Sequence, residues 1–209
     1  MSTELKESSL HNAFGAVCTA PILLALRDLS CPPPELSAGE SSQYAGMSSE
    51  KRRAEYLIGR AALKSVLAGI GHGEDTSAVQ WPSDYCSLSH SHGHAVAVAL
   101  RDGRGIGIDL QLRRTPPFMM AERILADETL DWWRALPEPE QASALQRFWT
   151  VNEAVYKACP APQPAYFRHY RMTDPTRLES GLTIDGTDYR FEVHTLVLAE
   201  GFISLALRV

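Results

Sequence analysis

Residues 105–112 read Gly105-Ile106-Gly107-Ile108-Asp109-Leu110-Gln111-Leu112, and their strict alternation predicts a β-strand. Ile106, Ile108, Leu110 and Leu112 form one face; Gly105, Gly107, Asp109 and Gln111 form the other. The second face is bare at two glycines, which weakens a strand and marks close approach by a ligand or another backbone. Asp109 and Gln111 lie two positions apart and so point the same way, about 6 to 7 Å from each other. Just upstream, Asp102-Gly103 between Arg101 and Arg104 is a two-residue hairpin signal. It predicts that Ala95–Leu100 runs antiparallel to this strand, with Ser87–Ser89 as a further strand.

Downstream, Phe118–Leu136 has the spacing of a helix, with Leu130, Trp133 and Leu136 inward and Trp132 as a half-buried anchor. Pro137 and Pro139 end it, and a second helix runs from about Glu140 to Cys159. Leu145, Phe148, Trp149 and Tyr156 form one apolar side of that helix; Val151, Ala154, Val155 and Ala158 form another. Only a narrow polar stripe is left, made by Gln146, Thr150, Glu153 and Lys157. On a solvated helix the last two would be an i, i+4 ion pair worth a few tenths of a kcal/mol, an odd use of so apolar an element. Leu182–Val209 then predicts three short strands with turns at Asp185-Gly186 and Glu200-Gly201, after a loop at Pro160–Pro164.

Upstream, Ser49 is a candidate N-cap for a helix whose apolar positions include Ile58, Leu63, Val66 and Leu67 and whose stop is Gly69, Gly71 and Gly73. Its polar side lines up Arg53, Arg60 and Lys64, with Arg52 beside them, either as a solvated face or as an anion site. Ser30–Gly46 is rich in Pro, Ser and Gly and reads as a loop. Helix then antiparallel strands thus occurs twice. The economical architecture is α+β, with two similar lobes, each a small antiparallel sheet packed with a long helix. The lobes, 1–104 and 105–209, form one structural unit, a pseudo-dimer.

The 209 residues are 44% hydrophobic and 22% charged, an ordinary globular composition. A net charge of -5 argues against nucleic acid or anionic membrane as partner, so any anion site must be local. Cys18, Cys31, Cys86 and Cys159 have neither zinc nor disulfide spacing and read as reduced, mostly packed thiols. The uncharged stretch Ser8–Leu26 has the wrong flanks for a signal peptide. No run reaches the ~18 apolar residues of a membrane span, so the expected location is cytoplasmic.

Asp109 on a glycine-bare strand and Glu153 on a buried helix are the carboxylates expected to point inward, and hard cations take oxygen ligands. With Arg60, Lys64, Lys157 and the polar segment Ser87-Leu88-Ser89-His90-Ser91, the set suits a metal-bridged polyphosphate, although inward carboxylates can also be structural. His92 and His94 beside Gly93 lack a second cluster to complete a metal shell with His90.

Three stretches resemble the 4'-phosphopantetheinyl transferases, in their larger pseudo-dimeric, surfactin-synthetase-activating type. Arg52-Arg53-Ala54-Glu55-Tyr56-Leu57-Ile58-Gly59-Arg60 is similar to the family's Arg-rich helix. Trp81-Pro82 with Ser87–Ser91, and Gly107-Ile108-Asp109, resemble its Ser-His segment and Gly-Ile-Asp strand. Trp149-Thr150-Val151-Asn152-Glu153-Ala154-Val155-Tyr156-Lys157 resembles its catalytic helix. The resemblance implies transfer of 4'-phosphopantetheine from coenzyme A to a serine of an apo acyl or peptidyl carrier protein, with adenosine 3',5'-bisphosphate released. It implies Asp109, Glu153 and Gln111 as ligands of Mg2+, with Mn2+ as the alternative. Glu153 would be the base and Lys157 the group facing the pyrophosphate, with Asp109 completing the catalytic set. Arg52, Arg60, Ser89 and His90 would bind coenzyme A with Lys157. A monomer without nucleic-acid or membrane partners is expected.

Two departures stand out. Gln111 replaces an acid that many members carry, and Asn152 replaces a Lys, which would remove a cation from the cleft. The rival readings are a catalytically impaired protein that binds coenzyme A and carrier protein, and a metal-dependent phosphohydrolase using water as nucleophile.

Overall fold

The computed structural model describes residues 5–18, 20–73, 75–159, 167–169, 171–172, 182–184 and 187–209. In chain order its elements are α1 (Glu7–Gly15), β1 (Leu23–Asp28), α2 (Ala38–Ala45), α3 (Glu50–Ile70), β2 (Cys86–Ser91), β3 (His94–Ala99) and β4 (Ile106–Leu112). Then follow α4 (Ala121–Ile124), α5 (Asp127–Arg134), α6 (Glu138–Ala158), β5 (Arg171–Met172), β6 (Leu182–Ile184), β7 (Thr187–Tyr189), β8 (Phe191–Leu198) and β9 (Gly201–Arg208).

One arrangement occurs twice. β1, β2 and β3 form an antiparallel sheet in the order β1-β3-β2, with α3 between β1 and β2 in the chain, and β4, β8 and β9 form one in the order β4-β9-β8, with α6 between β4 and β8. In each lobe the first strand pairs with the last, and the long helix covers one sheet face. The other faces meet, and Leu24, Val98, Ile108, Leu110, Ile203 and Leu205 share one core. Fully burying an aliphatic side chain of this size contributes about 1.5–3 kcal/mol. Ser8–Leu26 divides between α1, whose Leu10 and Phe14 enter that core, and β1. A third, smaller ladder pairs β5, β6 and β7.

The lobes are joined by side chains. Ser87, Ser89 and Ser91 alternate along β2, and their hydroxyl oxygens accept the backbone N–H groups of Ile108, Leu110 and Leu112 at 3.0, 3.1 and 3.0 Å. β4 is an edge strand of its sheet, and these hydroxyls satisfy donors that would otherwise be buried unpaired.

Four local expectations are corrected. Asp102-Gly103 closes no hairpin: β3 turns back on β2 at His92-Gly93, both with positive φ, while β4 lies in the other sheet. Phe118–Leu136 is a 3-10 turn followed by α4 and α5, with Leu125 extended between the helices. Pro139 lies in the first turn of α6, where its missing N–H has no helical partner to lose, so the helix starts at Glu138. The loop Ser30–Gly46 contains α2, opened by a capping box in which Ser37 and Glu40 satisfy each other's backbone N–H.

Beyond residue 182 the described residues form four strands, not three, with the turn at Glu200-Gly201 as expected. Asp185-Gly186 and Pro160–Pro164 lie outside the described residues.

Candidate functional site

The bare face of β4 is explained by α6. A Cβ on Gly107 would lie 1.8 Å from the carbonyl oxygen of Ala154, and one on Gly105 would lie 2.8 Å from that of Ala158. The glycines therefore admit another backbone, and α6 comes close enough to bring its polar stripe over Asp109. Thr150 and Gln146 are buried against the strand; Gln146 Nε2 donates to the Gln111 carbonyl at 3.2 Å and Thr150 Oγ1 to the Gln146 carbonyl at 2.8 Å.

Beyond them the stripe opens into a cleft of about 590 Å³, lined by Ser89, His90, Asp109, Gln111, Glu153 and Lys157, with Trp149, Met120, Arg114 and Pro116-Pro117 at its wall. Asp109 is 3% exposed and its Oδ1 is doubly held: Lys157 Nζ donates at 2.8 Å and Ser89 Oγ at 2.9 Å. Lys157 also reaches the Ile108 carbonyl at 3.0 Å. Asp109 Oδ2 accepts only a long bond, 3.2 Å, from Gln111 Nε2. Glu153, one turn from Lys157 on α6, makes no hydrogen bond among the described residues. Burial raises its carboxyl above the ordinary range, and the Asp109 charge adds to this while Lys157 opposes it. The cleft thus holds two carboxylates and the Gln111 amide, with Lys157, Arg114 and His90 around them. The two carboxylates and the amide oxygen offer oxygen ligands, which fits a hard divalent cation.

A second hollow of about 370 Å³ adjoins the first, sharing Leu88 and His90, and is lined by Arg52, Arg60, Glu55, Tyr56 and Met47. Arg60 has Nη1 on the Thr76 carbonyl and hydroxyl and stacks over the Tyr56 ring at 4.6 Å, so part of its fork is used within the chain. Arg52 is exposed, and its side chain makes no hydrogen bond or ion pair among the described residues. His90 Nδ1 stands 4.0 Å from Glu55 Oε2.

The expected residues thus gather in two adjoining hollows, but not all in the expected way. Lys64 leaves the set: its Nζ pairs at 2.9 Å with the fully buried Glu40 and fastens α2 to α3. Ser89 lines the cleft with its hydroxyl already committed to Asp109 and Leu110. Asn152 is not in the cleft at all. It is 2% exposed on another side of α6, and its Nδ2 donates to the Ile124 carbonyl, the last of α4, at 3.0 Å. The missing Lys at that position therefore removes no cation from the cleft, and Asn152 helps hold the break between α4 and α5. Arg113 pairs with Glu200, leaving Arg114 as the cation at the rim.

Sequence reasoning missed Trp149 and Met120 as cleft lining, since helical spacing assigned Trp149 to the core. It also missed a group of Cys18, Glu192 and His194 elsewhere in the fold. Segments far apart in sequence supply that group, so no local spacing announces it.

A family model described as the 4'-phosphopantetheinyl transferase superfamily matches residues 105–204, and one described as the 4'-phosphopantetheinyl transferase N-terminal domain matches residues 40–100. A comparison with curated proteins gave no match.

Proposed function

Given that the chain belongs to the 4'-phosphopantetheinyl transferase superfamily, we propose that it transfers 4'-phosphopantetheine from coenzyme A to the serine of an apo acyl or peptidyl carrier protein. The observation that carries this reading is the convergence of Asp109, Glu153 and Lys157 from β4 and α6 in one cleft, beside a hollow with an uncommitted Arg52. Mg2+, or Mn2+ as the alternative, would be held by Asp109, Glu153 and the side-chain amide oxygen of Gln111. When bound, such an ion neutralises pyrophosphate charge.

The chain's own residues do the rest. Glu153 takes the serine proton as the serine oxygen bonds to the phosphorus that carries the pantetheine arm. The bond from that phosphorus to the bridging oxygen breaks, and the oxygen leaves with adenosine 3',5'-bisphosphate. A carboxyl raised toward working pH is a stronger base than an ordinary one. Lys157 faces the leaving oxygen and stabilises its charge. His90 and Arg52 suit the coenzyme A phosphates, with Arg60 as a further donor at the wall of the second hollow. Met119 and Phe118, exposed between the cleft-lining Pro117 and Met120, would with Arg114 suit an acidic partner surface with an apolar stripe. No helix among the described residues is long and apolar enough to cross a membrane. A monomer working in the cytoplasm completes the proposal.

Intact-mass spectrometry of several apo carrier proteins, incubated with the chain, coenzyme A and Mg2+, tests it. The expected result is a gain of one phosphopantetheine that is lost, by at least a hundredfold in rate, with Glu153→Gln. Adenosine 3',5'-bisphosphate released without a carrier would support the phosphohydrolase instead. Coenzyme A binding without any transfer would support the impaired binding protein, with Gln111 the first residue to restore to an acid.

A further inference from the structure

β8 occupies in its sheet the place that β2 occupies in the other, an edge strand paired to the middle one. Alternate residues of β2 reach across to β4, and alternate residues of β8 reach the segment that follows α1. There Cys18 Sγ, a ring nitrogen of His194 and a carboxylate oxygen of Glu192 all lie within 4.8 Å of one another. His194 Nε2 and Glu192 Oε1 are 2.6 Å apart, and their side chains are 17% and 15% exposed, so the group is sheltered yet open to an entering ion.

We propose that Cys18, Glu192 and His194 form a binding site for a divalent transition-metal ion of the Zn2+ class, distinct from the cleft. Glu192 and His194 oppose Leu207 and Leu205 on β9, on the sheet face that meets the other lobe, whereas Asp109 opposes Ser204 on the face covered by α6. β9 also separates β8 from β4, so the strands that carry the two sites run about 9–10 Å apart with the side chains on opposite faces of the sheet.

The donor set selects the metal. A sulfur, an imidazole nitrogen and one carboxylate oxygen suit Zn2+ and Co2+, while Mg2+ prefers oxygens alone. Around a tetrahedral ion with bonds of about 2.0–2.3 Å, neighbouring ligand atoms sit about 3.4–3.6 Å apart. The present spacing needs a shift of about 1 Å to match. The thiolate and the carboxylate together balance the charge of a divalent ion, and water fills the fourth position. On binding, the thiol proton goes to the buffer and the imidazole proton moves to the nitrogen facing away from the metal.

The same three residues also have the types of a thiol nucleophile with its base, but the environment opposes that use. Burial, reinforced by Glu192, pushes the Cys18 thiol up to about 12, so without a metal it stays protonated and unreactive.

The test is titration of the full chain with Co2+, read by the near-ultraviolet thiolate-to-cobalt absorption band and reversed with Zn2+. Oxygen ligands in the cleft give no such band. One equivalent of band is expected, retained in Glu153→Gln, abolished in Cys18→Ser and weakened at least tenfold in apparent affinity in His194→Gln. Circular dichroism checks that each variant is folded; should Cys18→Ser not fold, His194→Gln decides. A wild-type chain without the band overturns the proposal, as does a band that survives Cys18→Ser and His194→Gln.

Discussion

Glu153 is expensive to keep ionised. Its carboxyl is raised by burial, then by Asp109, against the pull of Lys157. A group whose folded pKa lies above its unfolded value lends stability below the unfolded value and loses it as pH rises through the folded one. At neutral pH, with divalent ions chelated, the charge therefore burdens the fold. Glu153→Gln is expected to melt higher than wild type while losing transfer. A rise on the order of 2–4 °C corresponds to about 1 kcal/mol at this chain length. Raising the Mg2+ concentration should narrow the gap by stabilising the wild type, and calorimetry in chelator and in Mg2+ checks both. A lower melting point for the variant would show that the carboxylate is a structural partner instead. The residues of this site were legible because each carboxylate sat in an incongruous local pattern: Asp109 on a strand face stripped by glycines, Glu153 on a helix otherwise apolar. Ser89 and Lys64 were not. A serine at an edge strand and a lysine on a helix face reveal their partners only once Leu110 and Glu40 have been brought beside them.

At the scale of the element, the pairing of β4 with α6 builds the cleft. Gly107→Ala would drive a Cβ into the Ala154 carbonyl, a backbone atom that can yield only if the helix moves. The expected cost is about 1–3 kcal/mol, as for overpacking. Glu153 and Lys157 travel with the helix, so turnover should fall at least tenfold even where the variant is folded; unchanged turnover would show that the helix does not need this close approach. On another side of α6, Asn152→Lys restores the family's usual residue but puts an ammonium at a buried position beside α4. It is expected to lower stability by about 2 kcal/mol or more without raising turnover. A faster enzyme with normal stability would return that position to the cleft. The elements themselves were readable where periodicity is long, as in α3 and α6. α2 and the α4–α5 break were not. A Pro-, Ser- and Gly-rich stretch hid the Ser37-Glu40 box, and the break is held by Asn152, which no rule of spacing links to Ile124.

The two lobes share one order of elements, yet their edge strands are treated differently. β2 offers β4 a row of serine hydroxyls, and β8 carries Glu192 and His194 toward Cys18. The repeat was visible in the sequence as helix followed by strands, but β1 was not, because its place is fixed by pairing with β3 across the whole of α3. The serine row also explains why the apparent Asp102-Gly103 hairpin fails: β4 gives its free edge to hydroxyls of β2 rather than to the backbone of β3. Ser87 tests this joint because its hydroxyl holds the Ile108 N–H but does not line the cleft. Ser87→Ala leaves a buried donor unpaired and is expected to cost about 1–3 kcal/mol. Below the melting transition its transfer rate per folded molecule should stay within about twofold of wild type, since the cleft residues keep their partners. Ser89→Ala should instead lose both, because the same hydroxyl supports Leu110 and donates to Asp109. Equal losses of rate in the two variants would mean that the lobes shift as a body when any rung of the seam is cut. No loss of stability in either would mean that water satisfies β4 and that the inter-sheet core alone holds the lobes together.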